Sequence, residues 1–357
     1  MTPEATPRPD VAAVEVIAPN LKRRLSGVTS TIVQLVPLQA ERFAIATLGG
    51  GLPPALPRLG FSQLFGLLRR PRTRAVRIWH ARRNIEMIAG IVLRDVARAP
   101  LRLVFTSAAQ RRHKPLTKWL IRRMDAVIAT SAGSGAFLDV PHTVIRHGVD
   151  QVRFRLPEPG EMRGTGKMPG RYLAGCFGRV RHSKGTDLFV EAMLSLLPDF
   201  PEWSAVITGR ATAENREFQA ELERRIAEAG LSERIRFLGE VPSVEPWYRR
   251  VHLYVAPSRQ EGFGLTPLEA MASGAAVVAS DAGAYREMIE EGVSGAVVPA
   301  GDGAALREAI RPYLADPLLA ERHGIAGHAI VGERFPLQGE ADAIADVYER
   351  LFREAAS

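Results

Sequence analysis

Two glutamates eight residues apart, Glu261 and Glu269, bracket a stretch whose residue types suit the capture of an anionic ligand. Between them, Gly262 and Gly264 carry no Cβ, so backbone amides can approach a ligand closely there. Thr266, Pro267 and Glu269 then read as a helix start: threonine at the N-cap, proline at the first helical position, glutamate three residues after the cap. A helix N-terminus behind a glycine-bearing loop offers free N–H groups and a partial positive charge to a phosphate. Each glutamate also has a plainer role open to it, Glu269 as half of a capping box and Glu261 as a solvated loop acid. A second cluster, His80 with Arg82 and Arg83, sets two guanidinium groups beside an imidazole and points to an anionic partner.

Both clusters follow strand-like apolar runs, residues 253–256 and 74–79. Further strands are expected at residues 14–18, 101–105, 126–129 and 143–146. Helical stretches are expected from residue 31, where Pro37 disturbs the pattern, and at 85–96, while residues 131–138 separate the last two strands. Gly49, Gly50 and Gly51, followed by two prolines, read as a loop. Residues 156–170 bring three prolines and four glycines without periodicity, a linker composition. Beyond it, strands at 173–177, 204–208, 235–238, 253–256, 276–279 and 295–298 alternate with helices at 186–196, 215–229, 267–272, 304–314 and 339–354. This alternation predicts an α/β protein of two tandem doubly wound parallel-sheet, Rossmann-like domains facing a central cleft. The expected divisions are 1–155, a linker at 156–170, 171–337, and a C-terminal helix at 338–357.

The length of 357 residues suits two such domains, and 46% apolar with 24% charged residues is ordinary for a globular chain. The most apolar run, residues 87–93, is closed by Arg94 and Asp95, far short of a membrane span. The first ten residues are Pro-rich and polar, without the apolar core of a signal peptide, and read as a frayed tail. A single cysteine, Cys176, excludes an internal disulfide and fits a reducing cytoplasm. The net charge of +8 conceals an imbalance. Residues 1–155 hold 25 Lys/Arg and 9 Asp/Glu, a balance of +16; the remainder, with 22 and 30, balances at −8. The basic half is expected to face nucleic acid, lipid headgroups or an acidic glycan. Arg111, Arg112, Lys114, Lys118, Arg122 and Arg123, with Trp119 and Leu120 among them, could form a basic amphipathic surface against an anionic membrane, or an ordinary solvated helix face.

The stretch from Glu261 to Glu269 resembles the paired-glutamate motif of the retaining family 4 glycosyltransferases, which have the GT-B fold. Four further segments match that family in order and spacing: residues 177–185, 206–210, 278–287 and 292–299. The resemblance implies that Arg179 and Lys184, after Gly178, pair with the diphosphate of a nucleotide-sugar donor. Gly209 would line the nucleotide, Glu269 would hold the ribose hydroxyls, and the amides of Leu265 and Thr266 the distal phosphate. Glu261 with the amides of Gly262, Phe263 and Gly264 would hold the transferred sugar. A leaving diphosphate gains charge as the glycosidic bond breaks, which Arg179, Lys184 and a helix N-terminus would stabilise. The family needs no metal, and no Asp-x-Asp pair is present.

In the N-terminal half the resemblance is to lipopolysaccharide core mannosyltransferases, carried by residues 24–31, 79–84 and 105–108. It implies GDP-mannose as donor and an anionic, lipid-linked acceptor such as the inner core, met by Ser26, Gly27, His80, Arg82, Arg83 and Ser107. It also implies a peripheral place on the cytoplasmic face of the inner membrane. Ser107 stands where family members commonly have histidine, and His147 replaces a common asparagine and reads as a hinge. Two other functions fit less of the chain. A basic binding module leaves the glutamate loop idle, with no nucleic-acid motif present. A sugar-nucleotide epimerase of this architecture needs acids placed for other chemistry. An oxidoreductase would want Gly-x-Gly-x-x-Gly after the first strand, and none stands there.

Overall fold

The computed structural model describes residues 9–22, 27–161 and 163–357. Two compact units emerge, one holding the chain up to His147 together with Leu337–Ser357, the other Gly148–Pro336.

The first unit is built on seven parallel strands: β1 (Val16–Asn20), β2 (Ile45–Gly49), β3 (Arg58–Leu59), β4 (Arg77–Ala81), β5 (Leu101–Ser107), β6 (Ala126–Ala129) and β7 (Thr143–Val144). Their order is β3-β2-β1-β4-β5-β6-β7, with Val16 paired to Ile45 on one side and Ile78 on the other. Every residue of β1 is buried, as a central strand covered on both faces requires. One face packs Val16, Ala18, Ile78 and Val104 against Ile32, Leu35 and Val36 of the helix Gly27–Gln39 and against Ile344, Tyr348 and Leu351 of the helix Leu337–Ala356. The other packs Ile17, Trp79 and Leu103 against Met87, Ile91 and Leu120.

The second unit repeats the plan with β8 (Tyr172–Phe177), β9 (Trp203–Thr208), β10 (Ile235–Gly239), β11 (Leu253–Ala256), β12 (Ala276–Ser280) and β13 (Gly295–Val298), in the order β10-β9-β8-β11-β12-β13. All pairs are parallel. In both sheets the first strand is central and later strands add first to one side and then to the other. The order therefore reverses beside the first strand, between β1 and β4 and between β8 and β11. Ligands of such sheets bind in the crevice outside the carboxyl ends at this switch point.

Several boundaries differ from the sequence expectation. The first strand starts at Val16, two residues late, and the helix after it starts at Gly27, with Pro37 held inside its last turn. Strand β2 runs through residues not assigned to any element, and the helix Pro317–Arg334 was likewise not anticipated. Residues 156–170 belong to the second unit rather than standing apart as a linker. Arg163 donates to the carbonyls of Val251 and Gly274, Gly164 donates to Arg250 O at 2.9 Å, and Thr165 Oγ1 to Gly170 O at 2.7 Å. The division lies after His147, whose Nδ1 meets Glu340 Oε1 at 2.6 Å within the first unit.

Candidate functional site

The β8–β11 switch point gathers most of the residues singled out in the C-terminal half. Gly178 and Arg179 directly follow β8, Gly209 follows β9, and Pro257 follows β11. Arg179, Lys184, Thr266 and Tyr285 line one cleft there, together with Phe177, Tyr254 and Pro257. The loop after β8 and the loop after β11 are locked together. Arg259 grips Asp187 with two bonds of 2.7 Å, and the amides of Arg259 and Gln260 both donate to Ser183 O. Gly185, at φ 70°, makes this approach possible: a Cβ there would stand 1.9 Å from Pro257 O.

Across this junction Lys184 Nζ donates to Glu261 Oε2. The resemblance assigned these two groups to different parts of the donor; in the structure they are partners. Glu261 Oε1 also accepts from the Gly262 amide at 3.1 Å, and Tyr285 OH approaches Oε2 at 3.5 Å. Gly264, at φ 86°, lets the loop turn over Tyr285, whose ring would meet a Cβ at 2.3 Å. Phe263 is buried, and its carbonyl accepts from the Ala284 amide at 3.0 Å.

The expected capping box is not formed. The helix spans Thr266–Ala272, its N-cap position is Leu265, and no side chain caps it. Thr266 instead lines the cleft with Tyr254 and Tyr285. The Glu269 carboxylate accepts from Tyr248 OH at 2.7 Å. Burial pushes the Glu269 carboxyl above its ordinary value, opposed by that bond, and burial beside Glu269 pushes the Tyr248 phenol far up. Tyr248 comes from the helix Glu245–Arg250, and its ring packs edge-on against Phe154 and Phe177. Sequence reasoning missed all three tyrosines. Tyr254 carries a polar tip inside the apolar run 253–256, which is a readable signal, and Tyr285 lies within the matched segment 278–287. Tyr248 gave no such signal.

The first unit treats its candidates differently. Ser26 lies outside the described residues, with Arg23, Arg24 and Leu25 beside it. Gly27 is exposed at the start of its helix. His80 is fully buried, with Nδ1 2.5 Å from Tyr348 OH and Nε2 2.6 Å from Thr106 Oγ1. Both ring nitrogens are occupied, so His80 is a packing and bonding element of the core and not an acceptor contact. Arg82 is also buried, donating to His80 O at 3.3 Å, while its amide donates to Glu86. Arg83 bridges the β1–β4 switch point, donating to Asn20 Oδ1 at 2.7 Å, Glu86 Oε1 at 2.9 Å and Thr29 Oγ1 at 3.2 Å. Ser107 is buried and stands 3.4 Å from Nε2 of His113, an imidazole the sequence did not single out.

Burial holds the His80 pKa well below 6.5, helped by the Arg82 charge. Folded His80 therefore refuses a proton that the unfolded chain accepts below about pH 6.5. Stability from this group is complete above that pH and is lost as pH falls. The melting-temperature advantage of wild type over His80→Gln is expected to shrink from pH 7 to pH 5, which thermal melts of both proteins at several pH values would measure. An unchanged gap would show that the imidazole is not held neutral.

Comparison with known proteins fits this geometry. Residues 171–316 match the family model described as glycosyl transferases group 1. Across 98% of this chain and 100% of the relative, the sequence is 62% identical to the lipopolysaccharide core biosynthesis mannosyltransferase LpcC of Rhizobium leguminosarum bv. viciae. It is 52% identical to LpsB of Rhizobium meliloti, which bears the same description, across 96% of this chain and 99% of that one. Among solved structures, Anabaena HepE in complex with UDP superposes with a TM-score of 0.80 over 94% of this chain and 100% of that one. At 20% identity this is a likeness of fold. The C-terminal domain of a glycosyl transferase group 1 family protein, LpcC from Francisella tularensis, is 35% identical with a TM-score of 0.51, covering 53% of this chain and 100% of that one. With two Rossmann-like parallel sheets, the paired-glutamate loop at a switch point and whole-length relatives at this identity, the chain belongs to the glycosyl transferases group 1 and is a glycosyltransferase of the GT-B fold.

Proposed function

We propose that this enzyme transfers mannose from GDP-mannose, with retention and without a metal, to an anionic lipid-linked acceptor such as the lipopolysaccharide inner core. One observation carries the donor half of this reading: cations and carboxylates meet at a single switch point. Arg179 and Lys184 stand on the loop after β8, and Glu261 and Glu269 on the loop and helix after β11. A nucleotide sugar needs this combination, with cations for the diphosphate and carboxylates for ribose and hexose hydroxyls. In this reading Arg179 and Lys184 stabilise the leaving diphosphate, aided by the amides of Leu265 and Thr266. Glu269 takes the ribose, Gly178 and Gly209 line the nucleotide, and Glu261 with Gly262, Phe263 and Gly264 takes the sugar. Support for mannose and for a lipopolysaccharide core acceptor comes from the relatives' descriptions.

On the acceptor side, Gly27 and Ser107 remain candidates for contact, with Ser26 beyond the described residues. Arg83 contributes by shaping the β1–β4 crevice through Asn20 and Thr29. No described helix is long and apolar enough to cross a membrane. The proposed location is peripheral, on the cytoplasmic face of the inner membrane, reached through the basic segment around residues 111–123. Arg112 and Arg122 are exposed and make no ion pair among the described residues, whereas Lys118 pairs with Asp139 and Arg123 with Asp95. Reversing charge at Arg112 and Arg122 should abolish sedimentation with anionic vesicles at moderate salt, while transfer to a soluble acceptor analogue persists. Equal loss of both would place the segment in the acceptor site.

The donor is tested by incubation with labelled GDP-mannose, UDP-glucose and UDP-GlcNAc, with and without a Kdo-bearing lipid acceptor and with and without chelator. Acceptor-dependent transfer from GDP-mannose alone, chelator-resistant and giving the α-anomer, is expected. Turnover of a UDP-sugar without acceptor would instead mark an epimerase. Thermal stabilisation by GDP over UDP should report the same preference, since a ligand raises the melting temperature through its binding free energy.

A further inference from the structure

The helix Asn84–Ile91 and the π-helical turn Val92–Val96 that continues it are apolar on two faces. One face buries Met87 and Ile91, and Gly90 lies so close to Trp79 that a Cβ would stand 2.7 Å from its ring. The other carries Ile85, Ile88, Val92 and Val96, spaced three, four and four residues apart and so aligned along one side. These four are 46%, 42%, 49% and 75% exposed. A surface helix of a water-soluble domain ordinarily turns polar residues outward, and this one does not. The neighbouring helix, Pro115–Ile121, adds Leu116 and Trp119, 59% and 50% exposed. Two bonds hold the helices side by side, Asn84 Nδ2 to Thr117 Oγ1 at 2.7 Å and Arg123 to Asp95 at 2.7 Å. The Arg123 guanidinium also lies 5.3 Å from the Trp119 ring centroid.

The segment that carries this apolar ridge is strongly cationic, and the acids beyond it that reach it, Asp125 and Asp139, pair with Arg94, Arg102 and Lys118. Residues 85–123 include nine Lys/Arg and two Asp/Glu. Of the two acids, Glu86 is buried and Asp95 is already bonded to Arg94 and Arg123. Arg98, Arg111, Arg112, Lys114 and Arg122 are exposed. An apolar stripe with a cationic rim is the complement of an anionic bilayer, which offers acyl chains beneath a layer of phosphates. A second copy is a poorer match, because a twofold contact would set the same cationic rim against itself.

We propose that the Ile85–Val96 ridge is a membrane-inserting element. Its four β-branched side chains and Trp119 enter the acyl boundary of an anionic leaflet, while the surrounding arginines and Lys114 hold headgroup phosphates. The inference rests on the peripheral location proposed above and adds that binding needs apolar insertion as well as charge. It orients the first unit with this ridge against the lipid, so that a lipid-linked acceptor is drawn from the leaflet on which the enzyme sits.

The test uses the full chain and its triple variant Ile88→Ser, Val92→Ser, Val96→Ser, whose sites are exposed. Both are sedimented with phosphatidylcholine vesicles, with and without phosphatidylglycerol, and tryptophan quenching by brominated acyl chains is recorded. Wild type should bind only the anionic vesicles and show quenching. The variant should partition at least about tenfold less, with unchanged melting temperature and donor affinity. Wild-type-like binding by the variant would overturn the insertion and leave a purely electrostatic contact, with the peripheral location intact. Failure of wild type to bind any vesicle would overturn both. If the variant instead converts a wild-type dimer to a monomer in sedimentation velocity while vesicle binding is unchanged, the ridge is a contact between copies and the proposal falls.

Discussion

Lys184→Ala is expected to lower kcat on the order of a hundredfold or more, with the fold retained. The cation has two duties at the switch point, and the structure allows them to be separated. It neutralises Glu261, to which it is bonded, and it stands on the loop proposed to hold the leaving diphosphate. Removing it leaves a carboxylate facing the place where negative charge develops, so two unfavourable effects add. The fold has other ties here: Arg259 still grips Asp187, Glu261 still accepts from the Gly262 amide, and Gly185 still fits beneath Pro257. The double variant Lys184→Ala, Glu261→Gln distinguishes the duties. If the lysine only compensates Glu261, the double variant recovers most of the turnover lost in the single one. If it stabilises the departing diphosphate, the double variant stays as slow as Lys184→Ala or slower. Single-turnover rates with saturating donor measure this directly. A Lys184→Ala enzyme with wild-type turnover would show that the loop after β8 is not the phosphate cradle.

The sequence made the donor half more legible than the acceptor half, for physical reasons. Strands β8, β9, β11 and β12 are short, mostly apolar runs buried on both faces, and each ends at a glycine-, proline- or serine-bearing turn. Runs and turns of this kind are local, and local patterns can be read. What was misread depends on partners distant in the chain. Thr266, Pro267 and Glu269 make a convincing capping box on paper. Yet the helix takes Leu265 rather than Thr266 as its N-cap position, and Tyr248, 21 residues away, draws off the glutamate. His80 looked available because nothing nearby in sequence bonds it, but its partners are Thr106 and Tyr348, the latter 268 residues on. The helix Pro317–Arg334 escaped notice because its buried stripe is Ala320, Gly324, Gly327 and Val331 rather than large apolar residues. The small side chains let it lie close to its neighbours: a Cβ on Gly324 would stand 2.1 Å from Gly274 O. Ile45–Gly49 is short and runs into three glycines, so its strand character shows only when it pairs with β1.

Glu269→Gln is expected to weaken sugar-nucleotide binding at least about tenfold, a loss of roughly 1.4 kcal/mol, without destabilising the protein. The carboxylate has no cap to contribute, since Leu265 holds the N-cap position and no side chain caps the helix. Its oxygen Oε2 already accepts from Tyr248 OH, which fixes the plane of the group for the proposed ribose contact. Glutamine keeps one acceptor for Tyr248 but replaces the other oxygen with a donor, so a charge-assisted bond to a ribose hydroxyl is lost. Stability should move the other way. Because burial raises the Glu269 pKa, the unfolded chain releases this proton at a lower pH than the folded one, so ionising Glu269 in place costs stability as pH rises. The glutamine variant should therefore melt at or above wild type at pH 7, and that advantage should vanish below about pH 4. Tyr248→Phe supplies the complementary measurement. Without the phenol, the carboxyl should be harder still to ionise, and the pH below which donor affinity declines should shift upward, while Glu269→Gln should show no such decline. Calorimetric titration with the preferred nucleotide across pH, beside melting curves of wild type, Glu269→Gln, Glu269→Ala and Tyr248→Phe, reads both effects. If Glu269→Gln binds normally and only Glu269→Ala is impaired, in step with its lost stability, the group supports the fold and the ribose assignment is wrong.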